Sequence, residues 1–412
     1  MAERVGSDRP STREHEHGRD SDDLTTTEHH RGSIPVRAVA HPRLHVVTVV
    51  DSLLAGGAET VATRIALSLD PARFRSTICS TRRSQPEAVA FALRSGAEVL
   101  ELGRSSRLDG WRWLPLLRLL RSGTVDVVHA HKFGSNLWLS LFAPLANVPV
   151  LLAHEHSWAY EGNSWRSVAD RELVARAATR LIAVSPADRE RMIDVERIAP
   201  DKVVYVPNGI PDTPPGDAAA GRARLGVSAE ALVVGTVCRL RPEKGLDVAI
   251  RAVAPLVADR PELVFAVVGD GPERERLERL AAELGVRAVF LGQRPNDEVP
   301  DLVAAMDVTV CSSHREGMPL AVLEWMAAGK AIVATRVGGI PAILSDGEEA
   351  LLVPPDDPGA ASAALARLLD DPAERQRLGA AARLRQQREF RFDRTVATLE
   401  RLYESLYAAA RP

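Results

Sequence analysis

From Leu44 onward the chain alternates two kinds of segment. Short runs rich in β-branched apolar residues ("LHVVTVVDSL", "STICSTR", "VDVVHAH", "VPVLLAHEH", "RLIAVS") are separated by polar or glycine-bearing turns and amphipathic stretches such as "VATRIALSL". A brief, unbroken apolar run reads as a strand buried on both faces, the signature of a parallel sheet. The alternation breaks at the Pro/Gly/Ala-rich "PNGIPDTPPGDAAAG" and resumes with "LVVGTVCRL", "LVFAVVGDG", "AVFLGQ", "DVTVCSS", "AIVATRVGG" and "ALLVPP". Strands alternating with helices imply parallel sheets covered on both faces. The pattern therefore predicts an α/β protein with two Rossmann-like domains, 43–208 and 209–389, facing across a cleft. Within 390–412, "FDRTVATLERLYESLYAA" reads as an amphipathic helix with no strand after it, expected to pack back on the N-terminal domain. Residues 1–42 are charged, rich in Ser and Thr and poor in large apolar groups, which predicts a disordered tail. Its histidines, His15, His17, His29 and His30, read as solvated rather than as a metal site.

Composition adds exclusions. Net charge is −3 over 412 residues, so a basic nucleic-acid-binding surface is not indicated. The charge is uneven: 44–208 holds 20 Lys+Arg against 17 Asp+Glu, and 209–389 holds 21 against 27. The mildly basic first half favours an anionic partner there. Cys79, Cys238 and Cys311 form no CxxC pair, which points to a reducing compartment rather than a disulfide framework or zinc ribbon. No run of 18 apolar residues predicts a membrane span, and no apolar stretch at the amino terminus reads as a signal peptide. The expectation is a cytoplasmic protein.

In open α/β sheets ligands bind beyond the carboxyl ends of the strands, and the unusual residues cluster there. In "SHREGMPLAVLEWMAAGKAIVAT" a strand gives way to a loop carrying Glu316 and Gly317, then to a helix with Pro319 at its first position and Gly329 at its end. The free amides expected at Met318, Leu320 and Ala321, with the helix dipole, form an anion site, and Gly317 lets a ligand approach the backbone. Glu324 lies inside the helix among Leu320, Val322, Leu323, Trp325 and Met326, where an ionised carboxylate needs strong donors, such as ribose hydroxyls. A diphosphate at the helix start, Glu324 on the ribose and Glu316 on a group beyond the phosphates is one reading. A capping acid and a surface acid on an ordinary helix is the other.

"GTVCRLRPEKGLD" sets Arg239 and Lys244 just after a strand, where two cations can neutralise a diphosphate leaving group or simply be solvated. Lys244 is one of four lysines in an arginine-rich chain. The Gly269–Pro272 turn either lines a nucleotide pocket or ends its strand. Gly338 and Gly339 either admit a ligand or make a tight turn. Gly56 and Gly57 precede a helix with Glu59 in its first turn, an anion-ready start that is not a nicotinamide fingerprint. His129/His131 and His154/His156 end two strands as His-x-His, each pair on one strand face. A metal site would need further ligands, and His314 is the only later histidine, so cleft contacts to phosphate, sugar or a proton are the better reading. The Gly110–Gly123 segment, with Trp111, Trp113 and Arg112, Arg118 and Arg121, reads as a helix covering a domain. Peripheral contact with the inner face of a membrane is its alternative.

Taken together, "GGAE", "HAH", "HEH", "VSPADRE", "VPNGI", "GTVCRLRPEKGLD", "VVGDGPERERLE" and "EGMPLAVLE" resemble the family 4 glycosyltransferases of the GT-B fold, from about Leu44 to the carboxyl terminus. The resemblance implies a retaining transfer of a sugar from a UDP- or GDP-linked donor to an acceptor hydroxyl, with no cofactor and no metal. By motif, Arg239 and Lys244 bind the donor diphosphate, Glu316 the transferred sugar and Glu324 the ribose. The backbone at Met318, Pro319 and Leu320 meets the phosphates, Gln293 and Arg294 lie near the base, and Gly57 lies near the diphosphate or acceptor. His154 is the cleft histidine beside the sugar. The acceptor itself (saccharide, lipid-linked sugar or small metabolite) is set by first-domain loops that no motif reads. Met318 stands where a bulkier residue is usual, and "NGIPDT" lacks the Asp that often follows NGI. A non-hydrolysing nucleotide-sugar epimerase and a catalytically silent nucleotide-sugar-binding module are the alternatives. The Glu316/Glu324 pattern speaks against the first and the intact set of charged residues against the second.

Overall fold

The computed structural model describes residues 43–53, 56–106, 109–156 and 164–410, so the expected tail and its histidines lie outside the described residues. Thirteen strands among the described residues form two parallel sheets. The first orders β3-β2-β1-β4-β5-β6-β7 from β1 (Leu44–Val50), β2 (Phe74–Ser80), β3 (Glu98–Glu101), β4 (Val127–His131), β5 (Val150–Glu155), β6 (Arg180–Ala183) and β7 (Val203–Tyr205). The second orders β10-β9-β8-β11-β12-β13 from β8 (Leu232–Val237), β9 (Leu263–Val268), β10 (Ala288–Gly292), β11 (Val308–Cys311), β12 (Ala331–Thr335) and β13 (Leu351–Val353). Every paired strand is parallel to its neighbour. Central strands such as β4 and β9 are buried along their whole length, which is why they read as continuous apolar runs. β3 and β7 are missing from the apolar pattern. Both are short edge strands: Glu98 and Glu101 bracket β3, so it shows no apolar run, and β7 is apolar but only three residues long.

The chain passes between the sheets twice, and the two passages lie side by side. Ile210 N donates to Phe390 O at 3.1 Å, and Phe392 N donates to Ile210 O at 3.0 Å. A Cβ on Gly209 would fall 2.5 Å from the Arg391 carbonyl oxygen, so this crossing requires glycine. The Phe392–Ala410 helix then buries Phe392, Val396, Leu399, Tyr403 and Leu406 against Val46, Val127, Val150, Leu152 and Ile182 of the first sheet. Its apolar positions recur three and four apart, one stripe facing one sheet.

The Gly110–Gly123 segment forms a 3-10 turn (Gly110–Trp113) followed by a helix (Leu114–Arg121). Trp113 is buried against Trp138 and Phe142, with Arg104 stacked over it, so it is not available to a membrane. Leu116 and Leu120 are buried as well, which makes this a covering helix; Trp111 alone of the two tryptophans faces outward. Among the described residues no helix is long and apolar enough to cross a membrane.

Candidate functional site

The loop after β11 and the turn after β8 meet because their strands are paired. Glu316 is held from two sides: Ser313 Oγ donates to its Oε1 at 2.7 Å, and Lys244 Nζ donates to the same oxygen at 2.7 Å. Lys244 ends the Pro242–Lys244 3-10 turn, and the two loops are stitched by Ser312 Oγ donating to Lys244 O at 3.1 Å and His314 N to Glu243 O at 3.0 Å. Burial pulls the Lys244 ammonium down, but the adjoining Glu316 carboxylate more than offsets it and holds the group up at about 12. Lys244 is therefore a cation at any physiological pH, with its side chain only 24% exposed. Arg239 lies exposed in the same turn.

Glycines let these loops stack. A Cβ on Gly338, whose φ is +51°, would lie 1.7 Å from the Glu316 carbonyl oxygen, and one on Gly339 would lie 1.9 Å from that of Gly317. Of the two readings open at this pair, close approach applies, but the approaching backbone is the Glu316 loop. Likewise Cβ atoms on Gly269 and Gly271 would strike the carbonyl oxygens of Cys238 and Leu240 at 1.8 and 2.3 Å, so that turn braces the strand end carrying Arg239.

The helix after Glu316 spans Leu320–Ala327, one residue later than expected. Pro319 has ψ 119°, an extended value, and caps the helix rather than occupying its first position. The amides without an intrahelical partner are then Leu320, Ala321 and Val322 in place of Met318, Leu320 and Ala321, and no side chain caps them. Glu324 makes no side-chain hydrogen bond among the described residues. Burial raises its pKa, opposed by the field of Arg64 from the Gly57–Ser68 helix of the first half. A half-buried carboxylate without donors is an unfilled acceptor.

Three contacts bring this rim against the carboxyl ends of the first sheet. A Cβ on Gly57 would touch Leu320 Cδ1 at 3.7 Å, and one on Gly339 would meet Ser185 Cβ at 2.7 Å. Asn208 N donates to Met318 Sδ at 3.0 Å and Asn208 Nδ2 to Met318 O at 3.3 Å. A cavity of about 360 Å³ lies in this seam, lined by Asp188, Arg191 and Asp194 from one side and Arg315, Glu316 and Gly338 from the other. The Gly56–Gly57 helix start is less open than expected. Glu59 is buried and ion-paired with Lys132, and its Oε2 lies 2.8 Å from where a Gly56 Cβ would stand, so a carboxylate already occupies the place read as anion-ready.

Between Gly57, which follows β1, and Ser185, which follows β6, the sheet order puts the ends of β4 and β5. Their four histidines form two hydrogen-bonded pairs. His129 Nε2 meets His154 Nδ1 at 3.1 Å, and His131 Nδ1 meets His156 Nε2 at 2.8 Å. His129 Nδ1 also meets the Tyr403 hydroxyl at 2.7 Å. Burial, helped by the other histidines at His129, His131 and His154 and by Lys132 at His156, keeps all four neutral; His129 and His156 are pushed down to about 3. Ring nitrogens of His129, His131 and His154 all lie within 4.8 Å of one another, but the pairing already uses both nitrogens of His129. Nε2 of His131 and Nε2 of His154 are buried without a partner.

Gln293 and Arg294 follow β10, three strands from β11, or about 14 Å at about 4.8 Å per strand. The structure does not join them to the Lys244–Glu316 pair. Gln293 is exposed, and Arg294 is engaged by Glu298 at 2.7 Å. Ser313, Asn208 and Tyr403 belong to these contacts without standing out in the sequence pattern. Ser313 lies in the quoted motif and Asn208 in "VPNGI", so both were within view, but neither carries a charge to single it out. Tyr403 has no such signal, being 274 positions from His129.

Comparison with known proteins gives the family and the fold. The family model described as Glycosyltransferase Family 4 matches residues 55–213, and the one described as Glycosyl transferases group 1 matches 219–385. D-inositol 3-phosphate glycosyltransferase of Acidothermus cellulolyticus is 34% identical over 315 residues, covering 70% of this chain and 69% of that protein. The Anabaena protein HepE, solved in complex with UDP and glucose, superposes with a TM-score of 0.77 at 22% identity, covering 88% of this chain and 100% of that one. Sucrose-phosphate synthase from Thermosynechococcus elongatus does so with a TM-score of 0.75 at 22% identity, covering 89% and 100%. Both are GT-B glycosyltransferase folds of two facing Rossmann-like halves.

Proposed function

Because this chain belongs to glycosyltransferase family 4 and is a glycosyltransferase, we propose that it moves a sugar from a nucleoside diphosphate donor to an acceptor hydroxyl with retention and without a metal. The observation that carries the reading is the half-buried Lys244–Glu316 pair at the open start of the Leu320–Ala327 helix, which faces Gly57 across the seam. A diphosphate needs fixed donors aimed at the charge that grows as the bond to the anomeric carbon breaks. Lys244, Arg239 and the amides of Leu320–Val322 supply them. As the phosphate draws Lys244, Glu316 is released to accept from a sugar hydroxyl. Glu324 accepts from the ribose, and the edge at Gln293 and Arg294 receives the base. The acceptor oxygen bonds to the anomeric carbon on the face the phosphate leaves, and its proton passes to a departing phosphate oxygen. No enzymatic nucleophile is needed, and the fixed positive groups do the work a metal does elsewhere.

Family membership speaks against the epimerase alternative, and the intact cation–carboxylate pair against a silent module. The acceptor named for the relatives, D-inositol 3-phosphate, heads the panel to be tested, and the UDP-glucose seen with HepE heads the donors. The experiment is turnover in EDTA with those pairs, with NMR of the product's anomeric centre. Retention and undiminished rate in chelator support the reading. Inversion, or a rate abolished by chelator and restored by a divalent ion, overturns it. Peripheral membrane contact is the second reading. Trp111, 65% exposed with Arg112 stacked on it at 4.6 Å, and half-exposed Leu114 support it. Sedimentation with anionic vesicles, lost in Trp111→Ala, would bear it out, and absence of co-sedimentation in the unaltered protein would dismiss it.

A further inference from the structure

The Tyr403–His129–His154 chain contains two hydrogen bonds and three groups that each carry one proton. Burial keeps both rings neutral and the phenol protonated. Only two arrangements are open. In one, His129 carries its proton on Nε2 and donates to His154 Nδ1, so the His154 proton is on Nε2; His129 Nδ1 then accepts from the Tyr403 hydroxyl. In the other, His154 donates from Nδ1, His129 donates to the Tyr403 oxygen, and the phenolic proton has no acceptor among the described residues. The second leaves two buried groups unpartnered, the Tyr403 O–H and the Nε2 lone pair of His154, where the first leaves one, the His154 Nε2–H, so the first arrangement stands. Its far end is a buried Nε2–H with no partner, near the end of β5, which the sheet order sets between the ends of β1 and β6 that Leu320 and Gly339 touch.

We propose that Tyr403 is a positioning residue: through His129 it fixes His154 in the tautomer whose Nε2–H donates a hydrogen bond to an oxygen of the sugar in transfer. This rests on the glycosyltransferase reading above. It gives the last helix, which crosses back from the second sheet, a part in the reaction, since its register against β4 decides which nitrogen of His154 bears the proton. Tyr403 also packs edge-on against Phe74 at 6.1 Å, a contact that Tyr403→Phe preserves while removing only the hydroxyl.

The test combines long-range proton–nitrogen correlation spectra of the labelled full chain with donor kinetics. The His154 signals are assigned by their loss in His154→Gln. The unaltered protein should carry the His154 proton on Nε2. Tyr403→Phe should mix the two tautomers and lower kcat on the order of tenfold, the rate equivalent of one hydrogen bond, with the donor KM within about twofold. A proton on Nδ1 in the unaltered protein overturns the proposal. So does a Tyr403→Phe protein that loses kcat while keeping the tautomer, or one that keeps both. If Tyr403→Phe does not fold, the unaltered spectrum alone decides. The tautomer is read without turnover, so failure of the transfer reading would be seen separately, as absence of activity in the unaltered protein.

Discussion

Replacing Glu316 by Gln tests the site through stability and rate at once. Glu316 is what raises the Lys244 ammonium: burial alone would lower it, and the carboxylate lifts it from 10.5 to about 12. A lysine whose folded pKa is raised contributes stability that is fully present below the unfolded value and is lost as pH rises through the folded one. Here the contribution is complete below about 10.5 and gone above about 12. The shift of about 1.5 units corresponds to about 2 kcal/mol. Glu316→Gln should therefore cost about 2 kcal/mol at pH 7.5, a fall in Tm of roughly 4–8 °C if the second half melts as a unit. Lys244→Ala leaves the carboxylate, 10% exposed, with only Ser313 as donor and should cost at least as much. In the reaction the cation opposes the departing phosphate, so Lys244→Ala should lower kcat about 100- to 1,000-fold, the usual effect of removing one such donor. The double variant should lose less stability than the two singles summed, because each single breaks the same pair. Calorimetry at pH 7.5 together with initial rates of donor consumption reads all of this. Strict additivity of the stability losses, or a Lys244→Ala enzyme with unchanged kcat, would refute the reasoning.

Three further outcomes follow from other parts of the site. Glu324→Gln removes a charged acceptor with no protein donor, so the donor KM should rise about 10- to 100-fold with no loss of Tm; an unchanged KM would detach Glu324 from the ribose. Gly338→Ala puts a methyl 1.7 Å from the Glu316 carbonyl at positive φ, and should cost about 1–3 kcal/mol and most of the activity; a wild-type rate would mean the loop stacking is immaterial. Glu196 is buried, and burial with the nearby Asp170 and Glu155 carboxylates pushes it up to about 9, so the folded state holds a proton the unfolded chain releases above about 4.5. Stability from this group therefore falls as pH rises from about 4.5 to about 9. Glu196→Gln should gain about 3 kcal/mol at pH 7 and little at pH 4, checked by Tm against pH; parallel profiles for the two proteins would contradict it.

The sheets were readable because their central strands are apolar on both faces, as at β4 and β9, and the site because parallel strands deliver chemistry at their carboxyl ends. The edge strands β3 and β7 were not readable, since an edge strand need be neither long nor apolar. Gly338 and Gly339 announced close approach or a tight turn without saying to what, because a backbone that must pass within 2 Å of a missing Cβ can belong to a ligand or to another loop. Pro319 illustrates a limit of one residue: a proline fits the capping position as well as the first helical one, and only ψ separates them. Lys244 and Glu316 were each singled out by charge and position, yet their pairing, 72 positions apart, depends on β8 lying beside β11, a sheet order that local pattern does not encode. The contact from Tyr403 to His129 is more remote still, since it needs the fold of both sheets and the return of the last helix.

The central claim is that the diphosphate of the donor lies at the start of the Leu320–Ala327 helix and takes Lys244 from Glu316. A crystal structure with a nucleoside diphosphate bound tests it most directly. Phosphate oxygens should lie within about 3 Å of Lys244 Nζ and of the Leu320 and Ala321 amides, with the Lys244–Glu316 contact lengthened from 2.7 Å. A nucleotide bound elsewhere, with that ion pair undisturbed, would contradict it.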